Sequence, residues 1–229
     1  MSELTVPVTV KLPGVALGAL EVDAVRVHPA GPELAQLMDE VSESIRRNFS
    51  LETLAESEAS RAVRAMFRAW GVDPSKYRPS SEALQRRVVQ GKGLYRVSNV
   101  VDIGNLVSIE TGWPFGLYDR SKIEGAVTLR HGASGEIYEG IGKRTWHLEG
   151  RPVLADTHGP FGSPISDSTR SMITESTHDV LAIVYAPQGA PEAAIQRALA
   201  MLAERLIRFA DSTAVRSGLR PLISVPPGL

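Results

Sequence analysis

Residues 95–119, YRVSNVVDIGNLVSIETGWPFGLYD, combine two demands that pull against each other. Asn99, Asp102, Asn105 and Ser108 recur every third residue among Val100, Val101, Ile103, Leu106, Val107 and Ile109. The apolar majority predicts a helix buried over most of its surface. An unpaired polar group in such a place costs about 1–3 kcal/mol. Each polar residue therefore needs a partner, supplied by the fold or by a ligand. Asn99 suits an N-cap, which puts Asp102 at N3 in a variant of the capping box. Capping leaves Asn105, one turn further on, unexplained. Gly104 on the same helix points to a close approach by another group.

Around that helix the chain alternates between two textures. LTVPVTVKL and ALEVDAVRVHP are rich in β-branched residues, and VDAVRV alternates with the period of a half-buried strand. Leu34, Leu37, Met38, Val41 and Ile45 then fall at helical spacing between Pro32 and Phe49. A second helix is predicted from Leu51 to Trp70 behind a Ser50 cap, and a short one from Ser81 to about Gly91. Beyond residue 113, GAVTLRHG, GEIYEGIG, TWHLEGRPVLADTHG and HDVLAIVYAP are short, β-branched and bounded by Gly or Pro. They predict a meander of strands. A last helix is expected from Pro191 to Thr213. Without a regular βαβ rhythm or a linker, the reading is one α+β domain.

Composition narrows the chemistry. The chain has 229 residues and no cysteine, so disulfides, thiolate chemistry and Cys-based zinc sites are out of reach. It has neither an apolar run long enough to span a bilayer nor the basic, apolar start of a signal peptide, and a cytoplasmic location is expected. Walker, HExxH and Gly-x-Ser-x-Gly motifs are missing, and the five histidines are scattered. Charge is uneven: residues 61–96 carry 9 Lys or Arg against 2 Asp or Glu. Such a patch suits a phosphate backbone, although solvated helix faces would look the same. A second polar concentration, SDSTRSMITESTHDVL at 166–181, precedes an apolar strand; long polar turns commonly look like this too.

These stretches are similar, in order and spacing, to one known family. Arg96, the Asn99-x-x-Asp102-x-x-Asn105 helix, Gly112, Pro114, Tyr118-Asp119, Lys122-Ile123 and Gly125 resemble the B3/B4 domain of the phenylalanyl-tRNA synthetase beta subunit. VLADTHGP and the Thr174-x-x-Thr177 turn with its following strand resemble that family's later motifs. The likeness is strongest over 80–186. It implies a B3/B4-like layered fold, with a central β-rich unit flanked by helices, over 1–229. It also implies a freestanding tRNA-editing protein that hydrolyses a wrongly attached amino acid from aminoacyl-tRNA in trans. On this reading the chain is a candidate deacylase that needs no cofactor or metal, with tRNA or aminoacyl-tRNA as partner and no membrane.

Candidate residues come from the motif block, from polar side chains near the unmatched positions and from the basic patch. Asn105, Tyr118, Asp119, Asp167, Ser168 and Arg170 are candidates for binding substrate, and Asp167, Thr169 and Arg170 for catalysis. Arg86, Arg87, Lys92 and Arg96 are candidates for binding RNA. Two positions depart from the synthetase pattern. Its Pro-Leu-His is Pro114, Phe115, Gly116 here, and its acidic residue ahead of the Thr-x-x-Thr turn falls near Thr169. Two alternatives follow from those departures: a tRNA- or RNA-binding module without catalysis, and a protein that binds an amino-acid derivative.

Overall fold

The computed structural model describes residues 4–220; of the single domain expected over 1–229, residues 1–3 and 221–229 lie outside the described residues. The chain opens with β1 (Val8–Val10) and β2 (Val15–Asp23). Five helices follow: α1 (Pro32–Asn48), α2 (Leu51–Glu56), α3 (Glu58–Ala69), α4 (Ser80–Val89) and α5 (Asn99–Thr111). Next come β3 (Phe115–Asp119), β4 (Val127–His131), β5 (Ile137–Glu139) and β6 (Thr145–His147). The chain continues through β7 (Pro152–Asp156), β8 (Gly159–Gly162), β9 (Val180–Pro187), α6 (Glu192–Phe209) and β10 (Ala214–Arg220). The class is α+β.

Two four-stranded sheets carry the architecture. One has the order β10-β2-β9-β3 with every pair antiparallel. The other has the order β1-β4-β7-β8, with β1 parallel to β4. β5 and β6 form a separate hairpin. All eight residues of β9 are buried, and they alternate between two cores. Val180, Ala182, Val184 and Ala186 pack with Met38 of α1, Val88 of α4, Ile103 of α5 and Leu202 of α6. Leu181, Ile183 and Tyr185 pack with Val10, Leu129, Leu154 and Phe161 of the second sheet and Phe67 of α3. The layers are therefore helices, sheet, sheet, with β9 in the middle.

Four expectations change in detail. The helix from Leu51 to Trp70 breaks at Ser57, whose extended backbone (ψ 148°) ends α2. The Ser57 hydroxyl accepts from Ser60 N at 3.2 Å and starts α3, the competition between hydroxyl and helix expected of serine. The alternating VDAVRV leaves the sheet at Ala24, which sits at φ 57°. The last helix stops at Phe209, and the chain returns as edge strand β10 along β2.

The fourth concerns the polar helix. Ser98, not Asn99, is the N-cap, and its hydroxyl accepts from Val101 N at 3.4 Å. Asp102 steadies the preceding turn, accepting from Val97 N at 2.9 Å. Asn99 is fully buried and joins three parts of the chain. Its Oδ1 accepts from His28 N at 3.0 Å, and its Nδ2 donates to Arg26 O and Phe209 O at 2.9 and 2.8 Å. Ser108 donates to Trp113 O at 2.8 Å. The close approach at Gly104 is real: an added Cβ would lie 2.0 Å from Leu117 Cδ1 of β3. Asn99 and Ser108 are thus satisfied by the fold, whereas Asp102 uses one oxygen and leaves its buried Oδ2 without a hydrogen-bond partner among the described residues.

Because Asn99 is a cross-link rather than a cap, its loss should be the more severe. Leaving buried donors and acceptors unpaired costs about 1–3 kcal/mol each, whereas a cap is worth about 1 kcal/mol. We expect Asn99→Ala to destabilise by roughly 3 kcal/mol or more and Ser98→Ala by about 1 kcal/mol. Urea unfolding of the two variants measures the difference; equal losses would return Asn99 to a capping role.

Candidate functional site

Tyr118 points from edge strand β3 into the core between the sheets and is fully buried. The Phe161 ring meets it edge-on, with centres 4.9 Å apart. Its hydroxyl emerges from this apolar packing against the segment after β8. There it donates to Asp167 Oδ1 at 2.9 Å and lies 3.3 Å from the Tyr185 hydroxyl. Ser163 N donates to the same Asp167 oxygen at 3.0 Å. Ser163 Oγ in turn bonds Ser166 O at 2.8 Å, which also accepts from Tyr138 Oη at 2.5 Å. Three tyrosines and two serines thus surround one carboxylate.

Two glycines make room for this cluster. A Cβ on Gly116 would lie 2.0 Å from Tyr118 Oη, and one on Gly162 would lie 2.4 Å from it. The Tyr118 hydroxyl thus stands where a side chain at Gly116 would begin.

The electrostatics set Asp167 apart. Burial pushes its carboxyl up to about 7, against the downward pull of Ser163 N and Tyr118. The residue nevertheless keeps part of its surface accessible. Burial, with Asp167 beside them, drives both the Tyr118 and Tyr185 hydroxyls well above the usual phenol range. A carboxyl of this kind can exchange a proton near neutral pH while the phenols stay protonated as donors.

The other expected site residues fall into separate local networks. Asp119, next to Tyr118 and buried, accepts from Ser121 Oγ at 2.6 Å and from Thr177 Oγ1 at 2.9 Å. Thr177 itself closes the Thr174-x-x-Thr177 turn by accepting from Thr174 N at 3.0 Å. Arg170 holds Asp156 with two bonds of 3.1 and 2.9 Å and donates to Lys122 O and Gly159 O. Buried Ser168 accepts from Arg170 N at 3.1 Å, and Thr169 donates to Glu139 O at 3.3 Å. Asn105 is half-buried on α5 and makes no hydrogen bond to Asp119, Asp167 or Arg170. Tyr118 and Asp167 come together; Asn105, Asp119 and Arg170 do not join them through hydrogen bonds. The sequence reading missed Tyr138, Tyr185 and Ser163, whose strand and loop positions gave no signal of convergence.

The basic residues are also unequal. Arg96 is held by Asp39 at 2.5 Å and by Ala35 O. Arg87 lies over the exposed Tyr95 ring at 4.0 Å. Arg86, Arg87 and Lys92 form no ion pair among the described residues, and Lys92 is exposed. Open clefts lie elsewhere, one of about 640 Å³ between α6 and β10 and one of about 480 Å³ beside Trp113. Among the described residues, no three His, Asp or Glu side chains are grouped to hold a metal ion. None of the described helices is long and apolar enough to cross a membrane.

Comparison with known proteins adds a family to this geometry. A model of the B3/4 domain matches residues 62–224. The phenylalanine–tRNA ligase beta subunit of Chromobacterium violaceum is 31% identical over 110 residues, which cover 46% of this chain and 14% of that protein. The same subunit from Streptomyces avermitilis is 39% identical over 94 residues, covering 40% of this chain and 11% of that one. The solved structure of an N-terminal fragment of the phenylalanyl-tRNA synthetase beta subunit from Pyrococcus horikoshii aligns over 96% of this chain and 56% of its own. Its TM-score is 0.48 and its identity 15%. The chain thus corresponds to only 11–14% of the length of those two curated subunits.

The Asp167 carboxyl makes stability depend on pH in a defined direction. Its ordinary value is 3.8 and its folded value about 7, so between them the folded chain holds a proton that the unfolded chain has released. The resulting stability is complete below about pH 4 and is lost as pH rises through about 7. We expect Asp167→Asn, a neutral isostere, to flatten this decline and to be more stable than the parent at pH 8. Urea midpoints across the pH range are the measurement, and identical profiles would remove Asp167 as the titrating group.

Proposed function

Because the chain belongs to the B3/4 domain family, we propose that it is a freestanding tRNA-editing protein, one domain over 1–229 acting in the cytoplasm. It removes a wrongly attached amino acid from aminoacyl-tRNA in trans. The observation that carries this reading is Asp167, a residue that keeps part of its surface accessible while burial holds its carboxyl near neutrality against Tyr118 within the motif block. The similarity to phenylalanine–tRNA ligase beta subunits supports tRNA as the partner.

In the proposed step, ionised Asp167 orients a water and takes its proton as the water oxygen attacks the ester carbonyl carbon. The bond from that carbon to the ribose oxygen breaks, and the proton passes from Asp167 to the leaving oxygen. Free amino acid and deacylated tRNA result. Tyr118 positions the carboxylate, and Ser168 and Arg170, on the same polar turn, hold the substrate beside it; Asp119, tied to Ser121 and Thr177, and Asn105, on α5, stay outside that contact. Thr169 stands next to the proposed base on the same turn.

A second reading has its own observation. Gly116 stands at the synthetase's His position, with the Tyr118 hydroxyl already in that space. A module that binds tRNA without hydrolysing it would lose nothing by this exchange.

Screening tRNAs charged with each amino acid separates the two. Editing predicts deacylation of at least one charged tRNA, at a rate that rises with pH through about 7 and then levels. Asp167→Asn should abolish it. Tyr118→Phe removes a bond that lowers the Asp167 carboxyl, so the midpoint of the profile should move up. Binding without turnover of any charged tRNA would favour the second reading.

The basic helix end generates a separate expectation. Replacing Arg86, Arg87 and Lys92 by Ala should weaken tRNA binding and reduce the slope of log affinity against log salt by about 2–3, as fewer counterions are released. Arg96→Ala should change the slope less, because Asp39 already holds that guanidinium. Filter binding across a salt series reads both; an unchanged slope in the triple variant would place RNA elsewhere.

A further inference from the structure

A run of alternating cations and rings lies outside both polar stretches that the sequence singles out. The Arg144 guanidinium is 4.6 Å from the centre of the Trp146 ring. Arg151 lies 5.8 Å from that ring and 4.1 Å from the Tyr77 ring, and it donates to the Tyr77 hydroxyl at 2.7 Å. Lys76 completes the run, 5.5 Å from Tyr77. These five residues come from three places: the connection after α3, strand β6 with its preceding turn, and the residue before β7. The fold has assembled them, which is why no local sequence pattern reveals them.

Their charge is unspent. Lys76, Lys143, Arg144 and Arg151 form no ion pair with a carboxylate among the described residues. By contrast, Arg64 and Arg78 share Glu82, Arg130 holds Glu136 and Arg170 holds Asp156. Lys76, Lys143 and Arg144 are exposed, while Tyr77, Trp146 and Arg151 are half-buried and so ordered by packing.

We propose that this ladder is a docking platform for single-stranded RNA. Unpaired bases stack on ring and guanidinium planes, and phosphates meet the free cations. The choice of RNA rests on the tRNA-directed reading above; the stacking surface itself does not require hydrolysis. An acidic protein segment could use the cations but would have no use for stacked rings.

The test is fluorescence anisotropy of a short, labelled, uncharged single-stranded RNA with the full chain and its variants. Trp146→Ala should weaken binding on the order of tenfold or more, the loss typical of one base–aromatic stack. The indole also packs against Tyr138, Leu148 and Val153, so exposed Arg144→Glu serves as a second variant that leaves this packing in place. It should weaken binding and reduce the salt slope. Trp146→Phe should retain most of the affinity. The proposal is overturned if the parent does not bind the strand, if Trp146→Ala and Arg144→Glu bind as the parent does, or if polyglutamate competes as well as RNA. Deacylation without strand binding would remove this surface and leave editing standing; strand binding without deacylation would do the reverse.

Discussion

A strand with no wet face sets the terms for everything around it. β9 buries all eight of its residues, and its alternating side chains feed two separate cores. One face needs helices and the other needs a second sheet, because each must be covered by apolar surface. Tyr185 lies on the face towards the second sheet, and Tyr118 on neighbouring β3 lies there too. Their hydroxyls are carried into a core that offers them few polar partners. The segment 163–168 brings those partners in, and Asp167 is the one that carries charge.

The motifs that make the family resemblance legible are in large part fastenings of this architecture. Asp119 is tied to Thr177, so the aromatic-Asp and Thr-x-x-Thr motifs hold each other. Arg170 joins Asp156 to the backbone at Lys122 and Gly159, fixing the polar turn across the second sheet. Asn99 binds the end of α6 to the segment after β2. In this chain those residues have structural partners that account for them without any reaction. That separates evidence for the family from evidence for a reaction.

This division explains what could be read in the sequence. The α+β class, the buried helix at 99–111 and the strand at 180–187 followed from periodicity, and Gly104 announced the contact with Leu117. The assignment of the cap to Asn99 failed because the residue's partners, Arg26 and Phe209, lie 73 and 110 positions away. Local rules credit a polar residue to the nearest helix end. Strand β10 was hidden for a related reason: its alternation is weak, and its place is set by pairing with β2. Tyr138, Tyr185 and Ser163 belong to β5, β9 and the segment after β8, and only the fold joins them to the Tyr118–Asp167 pair, Ser163 directly and the tyrosines through Ser166 O and the Tyr118 hydroxyl.

The buried carboxylates, finally, are treated differently, and the difference sets Asp167 apart. Burial pushes Asp156 up most strongly, but Arg170 together with the Glu124 and His158 backbone N–H groups holds it below the usual carboxylate range. Asp119 receives hydroxyl donors on both oxygens. Asp102 is pushed up by burial, yet it sits at the start of α5 and steadies the turn before it. Asp167 has no arginine, and a phenol and one amide both donate to a single one of its oxygens. A purely structural acceptor there would be better supplied by Asn, which makes the same two bonds without the desolvation of a charge. A carboxyl at that position carries a cost that packing alone does not return. What it adds over Asn is the ability to take and give a proton near neutral pH.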